Sequence, residues 1–413
     1  MSKQSWLLGT LAVVASVATP SLYAGNTGEF VYVESNLKAP NANSIYAFAR
    51  QANGSLSPVA GSPFKTGGAG VQDTSLNVGP YDSDQNIITN ADHSLLFAVN
   101  SGSDTIAVFH IQQDGSLKPI AGSPFHSGGT DPVSLALLGD TLFVVNKNGD
   151  FPRVSNILPN YTTFHVQADG SLVRNPFYST IAVAIGSSPS QALLAPNSGL
   201  MFGADFLGGL LQRIRIQPDG HMQQLAPSSL PTTEFPGATA PPLPLGLWIH
   251  PSLPILYVGF VTGNKLGVYQ YDNANGPSDP NFGLRFVRAV PNTGAAICWL
   301  RTNHAGTRLY TSDTITNSIT VYDLSDPYNP VEIQNLVLEG PGNALQFELS
   351  SDDSFLYAIS SRGSATIPDG QGNALHILKI AKDGSVDETS NSPILFSLPP
   401  GTRPQGVAVV SAF

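Results

Sequence analysis

The sequence predicts an all-β fold, a seven-bladed β-propeller of four-stranded antiparallel blades whose ring closes by pairing the N- and C-terminal segments. Three observations predict it. A unit of about fifty residues recurs seven times. Each unit is patterned as strands and tight turns rather than helices. The chain also opens and closes in mid-unit. Composition agrees, because 40 Gly and 33 Pro among 413 residues punctuate strands well and helices badly, and only 12% of the residues are charged.

Within a unit, the second strand is an apolar run: FVYVESN at 30–36, LLFAVN at 95–100, TLFVVN at 141–146, LMFGAD at 200–205, ILYVGF at 255–260, RLYTSD at 308–313 and FLYAIS at 355–360. The third strand alternates apolar and polar residues, as in SIYAFARQ, TIAVFHIQ or SITVYDL. Period-2 alternation places one set of side chains on each sheet face. Asn-Gly at 53–54 and Asp-Gly at 114–115, 169–170, 219–220 and 383–384 then supply the tight hairpin into the fourth strand. The exit AGSPF at 60–64 and 121–125 hands the chain to the next unit, whose first strand is a run such as VSLALL. FVYVESN has no first strand before it, while the C-terminal TRPQGVAVVSAF is a first strand with nothing after it. Joining them completes a blade and removes an exposed sheet edge.

If strands a to d run outward from the axis, the b–c and d–a connections share one face. That face receives the long segments 65–84, 147–160, 228–245 and 361–373, whereas 272–283 falls on the other. Function concentrates on long loops held by a rigid frame, so the tunnel mouth on this face is the expected site.

Residues 1–24 are laid out as an export signal, with Lys3, an apolar stretch over 6–17 and a polar, turn-prone segment ending at Ala24. The apolar run is too short to span a bilayer comfortably. The mature chain, 25–413, is therefore expected to be a single propeller domain, exported to the periplasm or the cell exterior, with no integral membrane segment. Without the signal, 18 basic residues face 29 acidic ones, a balance that argues against nucleic acid as a partner. The lone Cys298 forms no internal disulfide and matches no zinc spacing.

The repeats, above all AGSPF at 60–64 and 121–125, DGSL at 114–117 and 169–172, and LLFAVNSGSDTIAVFHI at 95–111, resemble the seven-bladed propeller lactonases, related to propeller-type 6-phosphogluconolactonase and to 3-carboxy-cis,cis-muconate cyclase. The resemblance covers nearly the whole mature chain. It implies lactone ring opening or closure at a mouth cluster of His, an Arg-His pair, Glu and Arg. Those positions fall here on Ser190, on Leu245 and Gly246, on Val261 and on Leu345. None of these residues does the proton transfer or anion binding of the family's groups, so the inherited chemistry is expected to be lost.

Other groups remain near the mouth. Trp299 and Arg301 open one inner strand, and Arg403 with Gln405 opens the last; arginine forks suit a carboxylate and an indole suits a ring. His126 and Asp131 share a d–a connection and offer an acid-base pairing. Asp82, Asp84 and Asn86 alternate as calcium ligands do, but without the Gly and Glu of an EF-hand loop. His110 and His165 occupy equivalent strand positions, and His250 sits where an inner strand turns. There is no HExxH, no GxSxG elbow and no phosphate loop around TGGAG at 66–70. No cofactor or metal is expected. The sequence thus points to recognition of a small organic acid, a lactone or a protein loop at the mouth. A lactone hydrolase or cycloisomerase with a rebuilt site, and a cell-envelope scaffold, are the alternatives.

Overall fold

The computed structural model describes residues 26–71, 83–148, 157–174, 180–217, 219–237, 242–272, 284–364, 366–368 and 370–411. They form seven antiparallel sheets. Strands β1 (Asn26–Glu34), β2 (Ser44–Gln51) and β3 (Leu56–Pro58) make the first blade, with the C-terminal strand Gln405–Ser411 on its inside. Phe30 pairs with Val410 and Tyr32 with Ala408, so the ring closes through the two chain ends as the sequence implies.

The other inner strands are Ile87–Thr89, Pro132–Leu138, Leu193–Ala195, Pro244–Ile249, Ile297–Thr302 and Asn343–Leu349. Among the described residues the only helical element is a 3-10 turn, Thr232–Glu234. The core lies in the seams between blades. Phe30, Tyr32 and Ile45 pack on Leu96, Ala107 and Phe109 of the next blade. Phe202 and Leu211 pack likewise on Leu247 and Leu256.

The repeated Asp-Gly turns have a tertiary cause. In each, the Asn or Asp side chain accepts the N–H of the residue two positions on, at 3.1 Å for Ser55, 3.0 Å for Ser116, His221 and Ser385, and 2.9 Å for Ser171. Gly115 has φ +80°, and a Cβ there would lie 2.2 Å from the ring of Phe30 in the preceding blade. Tyr32 of that same blade donates its hydroxyl to the Gly115 carbonyl at 2.9 Å. The turn is therefore a clasp between neighbours, and only glycine satisfies both its backbone angle and its clearance.

AGSPF also has a local reason. It ends the three-residue outer strand and returns as a two-residue strand, Phe64–Lys65 in the first blade and Phe125–His126 in the second, so these sheets gain a fifth short member. In the detour, the hydroxyls of Ser62 and Ser123 accept the N–H groups of Ala47 and Val108 at 2.9 Å, replacing a rung of the ladder. The expected export signal and most of the 272–283 segment lie outside the described residues.

Candidate functional site

Five inner strands are irregular close to their first residues. Register shifts fall around Val133, Leu245 and Gly246, Cys298, Leu345 and Gln346, and Gly406. A bulge re-aims the side chain it carries. Here Leu245, Cys298 and Leu345 line a cavity of about 320 Å³ on the loop-rich face. The b–c connections add Phe206, Val261, Ile315 and Gly363 to its wall, Ser361 ends the second strand of its blade there, and Arg403 comes from the last d–a connection. Ile315 stands 72% exposed beside it.

Three of the positions that the resemblance singles out therefore converge, because Leu245, Val261 and Leu345 all line this cavity. The Ser190 hydroxyl lies 3.5 Å from the Leu245 carbonyl. Gly246 has no room for a side chain, since a Cβ would sit 2.1 Å from the Cys298 carbonyl oxygen on the adjoining inner strand. Arg403 is the one ionic side chain among the described lining residues.

Residues 83–86 tie inner strands of several blades together. Trp299 donates its indole N–H to the Ser83 carbonyl at 2.6 Å, and Gln346 Nε2 donates to Asn86 Oδ1 at 3.2 Å. The Asp84 N–H donates to the Ser190 carbonyl at 3.3 Å, and Asn86 Nδ2 to the Val133 carbonyl at 2.7 Å. Arg301 locks this strap. Its fork donates to Asp84 Oδ2 at 2.6 Å and Oδ1 at 3.1 Å, its Nε to Glu348 at 2.8 Å, and its guanidinium lies 4.3 Å from the Trp248 ring centroid. Burial works against the charge, but the Asp84 and Glu348 carboxylates more than offset it and hold the Arg301 pKa above its usual value.

The residues expected at the site thus separate. Trp299 and Arg403 come together in the cavity wall. Arg301 does not line it, and its donors are committed to carboxylates. Gln405 is fully buried on the rung opposite Glu34. His126 is exposed on its short outer strand, whereas Asp131 is fully buried and its carbonyl accepts the Lys147 N–H at 2.9 Å. Asp84 and Asn86 serve the strap, and Asp82 lies outside the described residues. His110 and His165 do occupy equivalent rungs, pairing with Leu95 and Thr141. His250 is buried, its Nε2 3.0 Å from the Gly306 carbonyl and its Nδ1 accepting from Ser252 and Leu253 at 3.2 Å; burial lowers its pKa.

One arrangement escaped the sequence. His376 Nε2 lies 3.0 Å from the Ser360 hydroxyl, and its Nδ1 bonds Glu388. Burial works against the Glu388 charge, yet His376 holds that carboxyl below its ordinary range. The order resembles a nucleophile–base–acid relay. However, Ser360 is buried, and its hydroxyl donates to the Gly372 carbonyl at 3.0 Å. Ser360 and His376 stand on the rungs that Asp313 and Thr320 occupy in the preceding blade, where a Thr320 hydroxyl bond to Asp313 ties the strands together. Only alignment of the repeats brings out this position, since no local motif marks it.

No family model matches the chain, and no curated protein matches it in sequence. Solved structures match it in shape. A provisionally assigned 6-phosphogluconolactonase from Bacteroides uniformis superposes with a TM-score of 0.68 at 15% identity, covering 93% of this chain and 100% of that one. A second such protein, from Bacteroides fragilis, gives 0.66 at 14% identity, covering 93% and 98%. The periplasmic gluconolactonase of Pseudomonas aeruginosa gives 0.67 at 14% identity, covering 93% and 100%. At these identities the likeness is one of fold, and the fold is the seven-bladed propeller that these lactonase-type proteins share.

Proposed function

We propose that this chain is an exported propeller that binds a small organic acid or lactone in the mouth cavity without opening its ring. The single observation that carries the reading is the cavity itself. Its walls include Leu245, Val261, Leu345, Cys298 and Trp299, with Arg403 as the only ionic group among the described lining residues. An apolar wall with one guanidinium suits a compact apolar body bearing one acid group. None of the described lining residues is a His, Asp, Glu or Lys that could relay a proton at the reacting carbonyl. Export is supported by the layout of residues 1–24 and by the periplasmic setting of the Pseudomonas aeruginosa gluconolactonase of like fold.

A rebuilt hydrolase is the second reading, and the Ser360–His376–Glu388 relay is the observation that favours it. Calorimetric titration of the signal-free protein with aldonolactones, muconolactones and aromatic acids, alongside product analysis, separates the two. Binding at one site that weakens at least tenfold in Arg403→Ala, with every ring intact, supports the first reading. Ring opening that disappears in Ser360→Ala establishes the second.

A further inference from the structure

The rung next to the mouth end of each second strand is the position whose partner is the second residue of the third strand. In six blades it carries Val99, Val145, Ala204, Gly259, Ser312 or Ile359. The first blade breaks the rule with Glu34, opposite Ile45. Glu34 is fully buried, where a carboxylate is expensive to hold and seldom stands unpaired. Its Oε1 accepts from Asn43 at 2.6 Å, while its Oε2 has no partner among the described residues.

Gln405 is directly opposite Glu34 on the inner strand, so the two side chains share one sheet face. It too is fully buried, and neither its Oε1 nor its Nε2 has a partner among the described residues. Gln346, on the adjoining inner strand, adds an unpartnered buried Oε1. Its Nε2 reaches Asn86, whose side chain also abuts Gly406, the residue after Gln405. Glu34 and Gln405 leave buried polar atoms unmatched on one sheet face, which calls for a bound group. Glu34 Oε2 and Gln405 Oε1 among them are oxygens, the donor type that hard cations select.

We propose that Glu34 and Gln405 form the oxygen-donor core of a site for a hard divalent cation of the calcium class. The site is separate from the mouth cavity, whose lining includes neither residue. Burial raises the Glu34 pKa above that of an ordinary carboxyl, with the Asn43 hydrogen bond opposing it. With a single carboxylate, affinity falls in the weak class, on the order of 10⁻⁴–10⁻³ M.

Equilibrium dialysis of the demetallated, signal-free protein against radioactive calcium, with melting measured in CaCl₂ and in NaCl of equal ionic strength, tests this. The expected result is one equivalent bound and a calcium-specific rise in melting temperature of about 1–2 °C at tenfold the dissociation constant. Glu34→Gln should abolish both, because it removes the one carboxylate of the site while keeping the side chain's shape. If that variant does not fold, Gln405→Leu should still bind at least tenfold more weakly. No calcium binding by the wild type, or equal binding by the variants, overturns the proposal and leaves these atoms to buried water.

Discussion

At the residue scale, Arg301 shows how a side chain well suited to ligand binding can be engaged by buried carboxylates of its own chain. Its partner Asp84 is 217 positions away, so nothing in CWLRTN announces the pair. Removing the arginine leaves Asp84 buried without its counter-charge. Arg301→Met should therefore cost about 3–5 kcal/mol in urea unfolding, and adding Asp84→Asn should recover part of that loss. Asp313 offers a pH test. Burial raises its pKa to about 6 against hydrogen bonds from Thr320, Asn292 and Ser318. Its folded pKa lies above the unfolded value of 3.8, so the folded state binds the proton more tightly. That stability is fully present below about pH 4 and is lost as pH rises through about 6, roughly 3 kcal/mol in all. Unfolding free energies at pH 4, 5, 6 and 7 should show this slope, and Asp313→Asn should flatten it.

At the element scale, the clasp turns explain why the same dipeptide recurs. Gly115 needs both φ +80° and clearance from Phe30, whereas Gly139 has φ +60° but no atom within 4 Å of where a Cβ would stand. Gly139→Ala should cost about 1–2 kcal/mol, the penalty of the left-handed backbone alone. Gly115→Ala should cost clearly more, because Phe30 must also move; paired denaturation curves decide it. The strand periods and turn dipeptides were legible in the sequence because they are local. The fifth short strands and the 83–86 strap were not, because each depends on bonds to other strands that no local pattern announces.

At the scale of the whole molecule, seven units and a mid-blade start sufficed to foresee the ring and its closure. The cavity was legible only in part. Alignment to the resembling family led to Leu245, Val261 and Leu345, but Gly246 is explained by its approach to Cys298, and Ser360, His376 and Glu388 meet only in three dimensions. Closure carries its own prediction. A chain ending at Arg403 lacks the strand Gln405–Ser411 and bares the edge of β1, so it should lose the cooperative melting of the intact ring and associate in sizing chromatography.

The most direct measurement is a crystal structure of residues 25–413 soaked with the tightest-binding acid or lactone. Density is expected against Leu245, Val261 and Leu345, with the ring intact and an acid oxygen within hydrogen-bond distance of Arg403. An opened ring, or density anywhere else on the propeller, would contradict it.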